Sequence, residues 1–345
     1  MASVTLTGAT GLIGRALVRE LAARGDELTV LSRDAGRARR LLGGDAGKGA
    51  RSSSGAEGGG RATAGASTTG GQDAGAASAP VRVQAFDWAD PKRDPPPAES
   101  LRGRDAVVHL LGETVAQRWS DAARREIRES RVLATRNLVA GLRALPADER
   151  PAVLVSQSAT GWYGARADER LRESEPAGHD FLARVVADWE AEASSAEELG
   201  LRVANTRTGV VLAPDGGALE KMLPFFKLGI GGLVAGGRQY VPWIHLGDVV
   251  AGLIFCIDTE DASGPLNLTA PEPVTNRELS KALGRVLGRP ALAPVPALAV
   301  KVLYGEMATI VTTGQRAVPE RLTELGYRFR RPELEDALRD AVRAS

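Results

Sequence analysis

The stretch Met1-Ala-Ser-Val-Thr-Leu-Thr-Gly-Ala-Thr-Gly-Leu-Ile-Gly-Arg15 decides the fold of this chain. Residues 4–7 predict a short buried strand, and residues 12–21 carry the apolar spacing of a helix. Gly8, Gly11 and Gly14 recur at every third residue of the junction. The chain therefore opens with a strand, a glycine-rich turn and a helix, and a second strand is predicted at residues 27–31.

These glycines suit a phosphate site. Gly8 allows the sharp turn, Gly11 lets backbone N–H groups approach a pyrophosphate, and Gly14 lets the helix pack close to the strand. The helix N-terminus adds N–H donors and a partial positive charge. The alternative is a tight connection that binds nothing. We predict a dinucleotide site formed by Gly8, Thr10, Gly11, Leu12, Ile13 and Gly14.

The end of the second strand indicates which dinucleotide is bound. An acidic residue here binds the ribose 2′-OH of NAD, whereas an Arg accommodates the 2′-phosphate of NADP. This chain has Ser32 and Arg33 at that point, which predicts NADP (NADPH) as the cofactor. Asp34 follows, and its expected role is to cap the next helix. The alternative for Arg33 is an ordinary exposed side chain.

Strands and helices then alternate up to residue 214, with strands at 81–86, 105–111, 153–155 and 201–205 and helices at 34–42, 120–145 and 180–198. This pattern predicts an α/β, doubly wound parallel-sheet Rossmann fold of six strands over residues 1–214. Residues 43–80 contain mainly Gly, Ala, Ser and Thr and lack large apolar side chains, which predicts a disordered insertion.

Residues 215–345 are predicted to form a smaller C-terminal α/β lobe that closes over the cleft and selects the substrate, with residues 246–268 returning to the Rossmann core. Its last part, about residues 290–340, is predicted to be a helical domain. The expected helices span 219–228, 246–257, 276–287, 296–304, 315–325 and 332–342. Thr275 with Glu278 fits a capping box at the third of these.

Ligands of open α/β sheets bind beyond the carboxyl ends of the strands. Asp87, after the third strand, is a candidate for the adenine amino group and equally a candidate helix cap. Leu111 and Gly112 are expected to contact the cofactor by their backbone, and Glu113 is expected to have a functional role. His109 lies inside its strand, where a core histidine is expected.

The fifth strand is followed by small hydroxyl residues and then by aromatic residues. Ser158 is predicted to donate a hydrogen bond to a substrate carbonyl or hydroxyl. Tyr163 is a candidate acid if its pKa is lowered. Turn chemistry and packing are the alternative for both. His245 is a weaker candidate, as are Gln315 and Arg316 for a substrate anion.

Composition excludes several classes of protein. The 44 basic and 43 acidic residues form no basic stripe, so neither nucleic acid nor an anionic membrane is an expected partner. Metal-ligand spacing is not found, and no leader or long apolar run is seen. The single cysteine, Cys256, cannot form an internal disulfide, which fits a cytoplasmic protein.

Four motifs together resemble the extended short-chain dehydrogenase/reductase superfamily. They are Thr7-Gly-Ala-Thr-Gly-Leu-Ile-Gly14, Leu110-Leu-Gly112, Ser158-Ala-Thr with Tyr163-Gly164, and Trp243-Ile-His-Leu-Gly-Asp248. Further stretches are similar to the NAD-dependent epimerase/dehydratase-like proteins that carry a C-terminal domain of unknown function. They include Ser130-Arg131, Asp188-Trp-Glu190, Leu228-Gly-Ile-Gly-Gly232 and Asn267-Leu-Thr-Ala-Pro271. The resemblance implies a fold, a nucleotide cofactor and a possible homodimer, but no substrate.

One departure concerns catalysis. The superfamily's Tyr-x-x-x-Lys pair, whose Lys lowers the Tyr pKa and holds the nicotinamide ribose, is absent, since alignment on Glu190 puts Leu182 and Val186 at its positions. We therefore expect an NADP-dependent oxidoreductase or epimerase acting on a carbonyl or hydroxyl of an unknown small molecule. The alternative is a catalytically impaired NADPH-binding sensor or scaffold.

Overall fold

The computed structural model describes residues 1–43, 83–213 and 215–343. Its strands are β1 Ser3–Thr7, β2 Glu27–Ser32, β3 Val83–Asp87, β4 Ala106–His109, β5 Val153–Ala159, β6 Arg170–Leu171, β7 Arg202–Thr208, β8 Val210–Ala213, β9 Tyr240–Val241, β10 Trp243–His245, β11 Gly264–Leu268, β12 Val274–Thr275 and β13 Arg316–Ala317. Its α-helices are α1 Leu12–Arg24, α2 Ala35–Gly43, α3 Asp121–Arg143, α4 Phe181–Ser194, α5 Gly217–Lys227, α6 Leu246–Asp258, α7 Asn276–Leu287, α8 Ala297–Tyr304, α9 Ala308–Thr313, α10 Glu320–Glu324 and α11 Leu334–Arg343.

Seven strands form one parallel sheet in the order β11-β7-β5-β4-β1-β2-β3. The chain runs outward from β1 to β3, crosses back to β4, and then runs outward in the other direction. The order therefore reverses between β1 and β4, which is where doubly wound sheets bind their ligands. The predicted doubly wound α/β Rossmann fold is confirmed.

The sheet is covered on both faces, and this explains its nearly continuous apolar strands. One core contains residues of α1, α2 and α6, including Leu17, Ala38 and Leu253. The other contains residues of α3 and α4, including Leu138 and Ala193. Strand β11 extends the sheet beyond the six strands expected by residue 214, because it pairs in parallel with β7.

The smaller C-terminal lobe has its own apolar core. Helices α5, α7 and α11 pack there with β8 and β10, around residues such as Leu223, Trp243 and Leu283. The predicted capping box of α7 is present, since Thr275 and Glu278 exchange hydrogen bonds. Within the described part of the chain, none of the helices is both long and apolar enough to span a bilayer.

Two predictions need comment. The helix expected over residues 315–325 is wrong at its start, because Arg316–Ala317 forms a short strand paired with β6 and α10 begins at Glu320. A backbone pairing between segments so distant in sequence leaves no local pattern. The predicted insertion at residues 43–80 lies outside the described residues, apart from Gly43, which ends α2.

The glycine turn brings β1, α1 and β4 closer together than a side chain allows. Gly8 has φ +66°, and a Cβ built on it lies 2.6 Å from the Leu110 carbonyl oxygen. A Cβ built on Gly14 lies 2.3 Å from the Gly8 carbonyl oxygen and 2.6 Å from the Ala9 Cα. Because these neighbours are backbone atoms, they cannot move aside without shifting β1.

We predict that Gly14→Ala destabilises the fold by about 3 kcal/mol, the upper part of the range for overpacking a rigid site. Urea unfolding measures the change. Gly36→Ala in α2 is the matched control, because a Cβ there meets only the side-chain ends of Asp34 and Arg40 at 3.3 and 3.5 Å. An equal loss of stability in the two variants would show that the loss comes from replacing a helical glycine and not from the close contact of Gly14 with the backbone.

Candidate functional site

The start of α1 leaves backbone N–H groups without a partner inside the helix. Gly11 is the N-cap residue, it makes no side-chain cap, and the first turn contains no acidic residue. The turn is held by the Gly11 N–H, which donates to the Gly8 carbonyl at 3.0 Å. The first N–H groups of a helix have no partner within the helix, so those after Gly11 are available to a ligand phosphate. This glycine turn and the first turn of α1, which we call the cradle, lie where the strand order of the sheet reverses.

The end of β2 contains Ser32 and Arg33, the residues predicted to bind the ribose 2′-phosphate of NADP. Arg33 is exposed, and the Ser32 hydroxyl accepts a hydrogen bond from the Asp34 N–H at 3.3 Å. The Asp34 carboxylate accepts from the Arg37 N–H at 2.7 Å, so it caps α2. The Asp87 carboxylate accepts from the Ala35 N–H at 2.7 Å, which is the capping role left open for it.

The segment after β4 lies at the carboxyl edge of the sheet, where the strand order reverses and where ligands of doubly wound sheets bind. We call this edge the crevice. Gly112 is exposed, and Glu113 is fixed by its N–H, which donates to the Ser130 hydroxyl at 3.0 Å. The guanidinium of Arg131 packs directly on Gly112, 3.0 Å from the position of a Cβ built there. The predicted residues Gly112 and Glu113 are thus brought next to the cation of Arg131, which sequence analysis named only within a family motif.

A buried polar cluster lies behind the ends of β5 and β7. Arg207, 2% exposed, donates from Nε and Nη2 to the two carboxylate oxygens of Glu190 at 2.8 and 2.9 Å. Its Nη1 donates to the Tyr163 hydroxyl at 3.2 Å and to the Glu173 carbonyl at 3.1 Å. Burial alone would lower the pKa of Arg207, but its bonds to Glu190 outweigh this and raise it.

The two predicted catalytic hydroxyls belong to this cluster. Ser158, 1% exposed, donates its proton to Glu190 at 2.5 Å. Tyr163 is fully buried and donates to the Asn267 side-chain oxygen at 2.7 Å. Burial raises the pKa of Tyr163 to about 12, whereas the proposed acid role requires a lowered pKa. The structure therefore joins the two residues in the interior and uses both protons there.

The two residues at the positions of the missing Tyr-Lys pair are apolar, and their side chains pack against the turn after β5. Leu182 and Val186 lie on α4 beside Gly161, at 3.6 and 3.8 Å from a Cβ built on that glycine. They form a wall between α4 and the turn after β5. Neither side chain can move a proton or hold a hydroxyl group.

His109 is held in a directional chain of hydrogen bonds at the end of β4. The Thr7 hydroxyl accepts from the Leu110 N–H at 3.0 Å, and its oxygen lies 2.8 Å from His109 Nδ1. The Thr135 hydroxyl donates to the Arg131 carbonyl at 2.7 Å, so it accepts from His109 Nε2 at 3.0 Å. His109 is therefore neutral with its proton on Nε2, as expected for a core histidine, and burial lowers its pKa to about 3.

The other candidates have structural partners. His245 is the N-cap of α6, where Nδ1 accepts from the Gly247 N–H at 3.1 Å, and its Nε2 lies 3.2 Å from Asp340. Gln315 lies 3.5 Å from the Thr160 hydroxyl. The Arg316 guanidinium stacks on the Tyr240 ring at 4.9 Å. Among the described residues, no group of His, Cys, Asp and Glu side chains could hold a metal ion.

Sequence analysis named Arg131, Glu190 and Asn267 only within family motifs and assigned no role in the site to them or to Arg207. Each is a polar residue in a segment with an ordinary helix or strand pattern. Arg207 lies beyond the strand predicted at residues 201–205, and the structure places it inside the buried strand β7, where an arginine requires a partner. The identity of that partner depends on the packing of α4 against β7.

Comparison with known proteins agrees with the fold. The family model described as NAD dependent epimerase/dehydratase family matches residues 4–268, and a domain of unknown function (DUF1731) matches residues 295–341. The chain is 36% identical over 337 residues to the chloroplastic homolog of epimerase family protein SDR39U1 from Arabidopsis thaliana, covering 98% of this chain and 86% of that protein. An epimerase family protein of Mycobacterium bovis is 40% identical over 262 residues, which cover 75% of this chain and 85% of that protein. The crystal structure of human SDR39U1 (isoform 2) with NADPH has a TM-score of 0.79 at 28% identity, covering 99% of this chain and 100% of that chain.

We predict that Glu190→Ala destabilises the protein by about 3–5 kcal/mol, because it leaves the Arg207 charge buried without a partner. The free energy of unfolding in urea measures this loss. Glu192→Ala is the matched control on the same helix. Its partner Arg136 is 58% exposed, and such a pair contributes less than about 1 kcal/mol. Similar losses in both variants would contradict the structural role of the buried pair.

The neutral state of His109 predicts a pH dependence of stability. Its pKa falls from about 6.5 in the unfolded chain to about 3 in the fold, so protons bind the unfolded state preferentially. The stabilising contribution is complete above about pH 6.5 and is lost as the pH falls toward about 3, by at most about 1.4 kcal/mol per pH unit. We expect the stability difference between wild type and His109→Gln to shrink over this range. If the free energies of unfolding of the two proteins change in parallel with pH, His109 is not held neutral in the fold.

Proposed function

This chain belongs to the NAD-dependent epimerase/dehydratase family, and from that premise we propose that it binds NADP(H) and transfers a hydride between this cofactor and a carbonyl or alcohol carbon of a small molecule. One observation carries the proposal: the glycine turn at the reversal point of the sheet opens into a helix with no side-chain cap and no acidic residue in its first turn. The NADPH named with the human SDR39U1 structure gives it independent support.

The residues present fit the cofactor. A side chain at Gly8 or Gly14 would close the turn on backbone atoms, so the chain keeps a cradle that only backbone lines. The free N–H groups after Gly11 would hold the pyrophosphate. When bound, the cofactor supplies the hydride, while the protein supplies binding, orientation and electrostatics.

Selection for NADP(H) over NAD(H) would come from Arg33. Its side chain is exposed at the end of β2, and a guanidinium matches the planar geometry of two phosphate oxygens. The Asp34 carboxylate is directed to α2, where its Oδ1 accepts from the N–H of Arg37. The acidic residue that would favour NAD is therefore engaged in capping α2.

A second candidate function is binding of NADPH without turnover, as in a sensor or scaffold. The observation that favours it is specific: the Ser158 and Tyr163 protons are donated inside the fold, and Leu182 and Val186 occupy the usual catalytic positions. The two functions differ in one readout. Consumption of NADPH with any member of a panel of aldehydes, ketones and keto sugars supports the first. Tight binding without consumption supports the second.

We predict that Arg33→Ala weakens NADPH binding about tenfold or more and leaves NADH binding unchanged, because only NADPH carries the 2′-phosphate. Isothermal titration calorimetry measures both dissociation constants. Arg40→Ala, in the last turn of α2, is the matched control and should alter neither. Absence of binding of both nucleotides to the wild type would refute the proposed function, and an equal loss of both in Arg33→Ala would refute the role of Arg33.

A further inference from the structure

Arg131 occupies a central place in the crevice. It lies on α3, and its guanidinium reaches Gly112 at the carboxyl end of β4, next to the reversal point of the sheet. On its other side it stacks over the Trp189 ring of α4, with 5.3 Å between the guanidinium carbon and the ring centroid. The side chain is half-buried, and the neighbouring Gly112 is exposed. The cation is therefore fixed by packing at the wall of the open crevice.

The hydrogen bonding of this cation is incomplete within the described chain. Its Nη1 donates to the Ile127 carbonyl at 3.0 Å, and no described carboxylate forms an ion pair with it. Glu113 attracts it only from beyond hydrogen-bond distance, and burial lowers its pKa to about 10, so it stays charged at neutral pH. A guanidinium has several N–H donors in a planar fork, so most of them are left for another acceptor.

Its neighbours on α3 show how different this is. Arg128 pairs with Asp188 at 2.8 Å, and Arg136 pairs with Glu192 at 2.5 Å. Both of these arginines are about half exposed, where an ion pair matters little. Arg131, the more buried of the three, is the one that faces α4 without a carboxylate. A half-buried cation without a counter-charge costs stability, and this cost indicates a use.

The place of Arg131 coincides with a missing group. The resemblance described above puts the ribose-holding Lys of the superfamily at Val186, on the buried face of α4. Trp189 lies one helical turn further along that same face. The Arg131 guanidinium covers the Trp189 ring, so it brings a positive charge from α3 to the region that the absent Lys would serve from α4.

We propose that Arg131 binds the hydroxyl groups of the nicotinamide ribose of NADP(H), in place of the Lys that this chain lacks. The inference rests on the proposed function, since it requires the cofactor to bind in this crevice. The guanidinium presents its N–H donors in a planar fork, which suits two neighbouring hydroxyl oxygens of the ribose. The ribose hydroxyl groups stay uncharged when they accept these hydrogen bonds. The nicotinamide ring would then be positioned by a residue of α3, leaving α4 to form an apolar wall.

The test separates the two halves of the cofactor. NADPH and adenosine 2′,5′-bisphosphate, which lacks the nicotinamide nucleoside, are titrated by calorimetry into wild type and Arg131→Met. Met keeps the apolar stack on Trp189. We expect Arg131→Met to weaken NADPH binding about tenfold or more and to bind the bisphosphate within about twofold of wild type. Arg128→Met, on the same helix, is the control and should change neither constant.

Either of two outcomes with Arg131→Met overturns the proposal. Unchanged NADPH affinity in Arg131→Met shows that the ribose does not use this cation. An equal loss of both ligands shows that Arg131 only maintains the shape of the crevice. If wild type binds neither ligand, the proposed function itself fails, before any variant is compared. Arg131→Lys guards against misfolding: it keeps the charge, and we expect its NADPH affinity to exceed that of Arg131→Met, whereas equal affinities would contradict the proposal.

Discussion

The buried ion pair between Arg207 and Glu190 is the interaction on which the carboxyl edge of the sheet depends. Two charges taken out of water cost several kcal/mol each unless their partners are complete. Here the pair is bidentate, and the surrounding groups belong to β5, α4 and the turn after β5. The Trp162 ring lies 3.9 Å from the guanidinium carbon and excludes water from it. Because a partial set of these contacts is unfavourable, the elements must pack in one arrangement.

The same cluster ties the last strand of the sheet to the chain's C-terminal part. Asn267 at the end of β11 accepts a hydrogen bond from the Tyr163 hydroxyl and donates hydrogen bonds to the carbonyls of Leu171 and Val318. These carbonyls flank the pairing of β6 with β13. The polar residues at this edge thus join the two parts of the molecule, and their hydroxyl groups are committed to that task.

Two arginines differ in how many of their donors have an acceptor. Arg207 is saturated by a carboxylate, a hydroxyl and a carbonyl, so it serves the structure. Arg131 has one carbonyl partner and faces an exposed glycine. Both are held by aromatic rings at the same end of the sheet. The number of donors left without an acceptor is therefore what distinguishes a structural cation from one that can receive a ligand.

The sequence by itself determined the sheet and the turn that begins it. Apolar strands alternating with amphipathic helices leave few other folds, and glycines at every third residue between the first strand and helix predict the turn. It also indicated that Asp34 caps α2. Only the tertiary structure decided the roles of Ser158 and Tyr163, whose hydroxyl groups suit catalysis and packing equally well in one dimension. Their partners, Glu190 and Asn267, are 32 and 104 residues away. A hydrogen-bond partner is selected by distance in space, and local periodicity contains no information about contacts so remote in the chain.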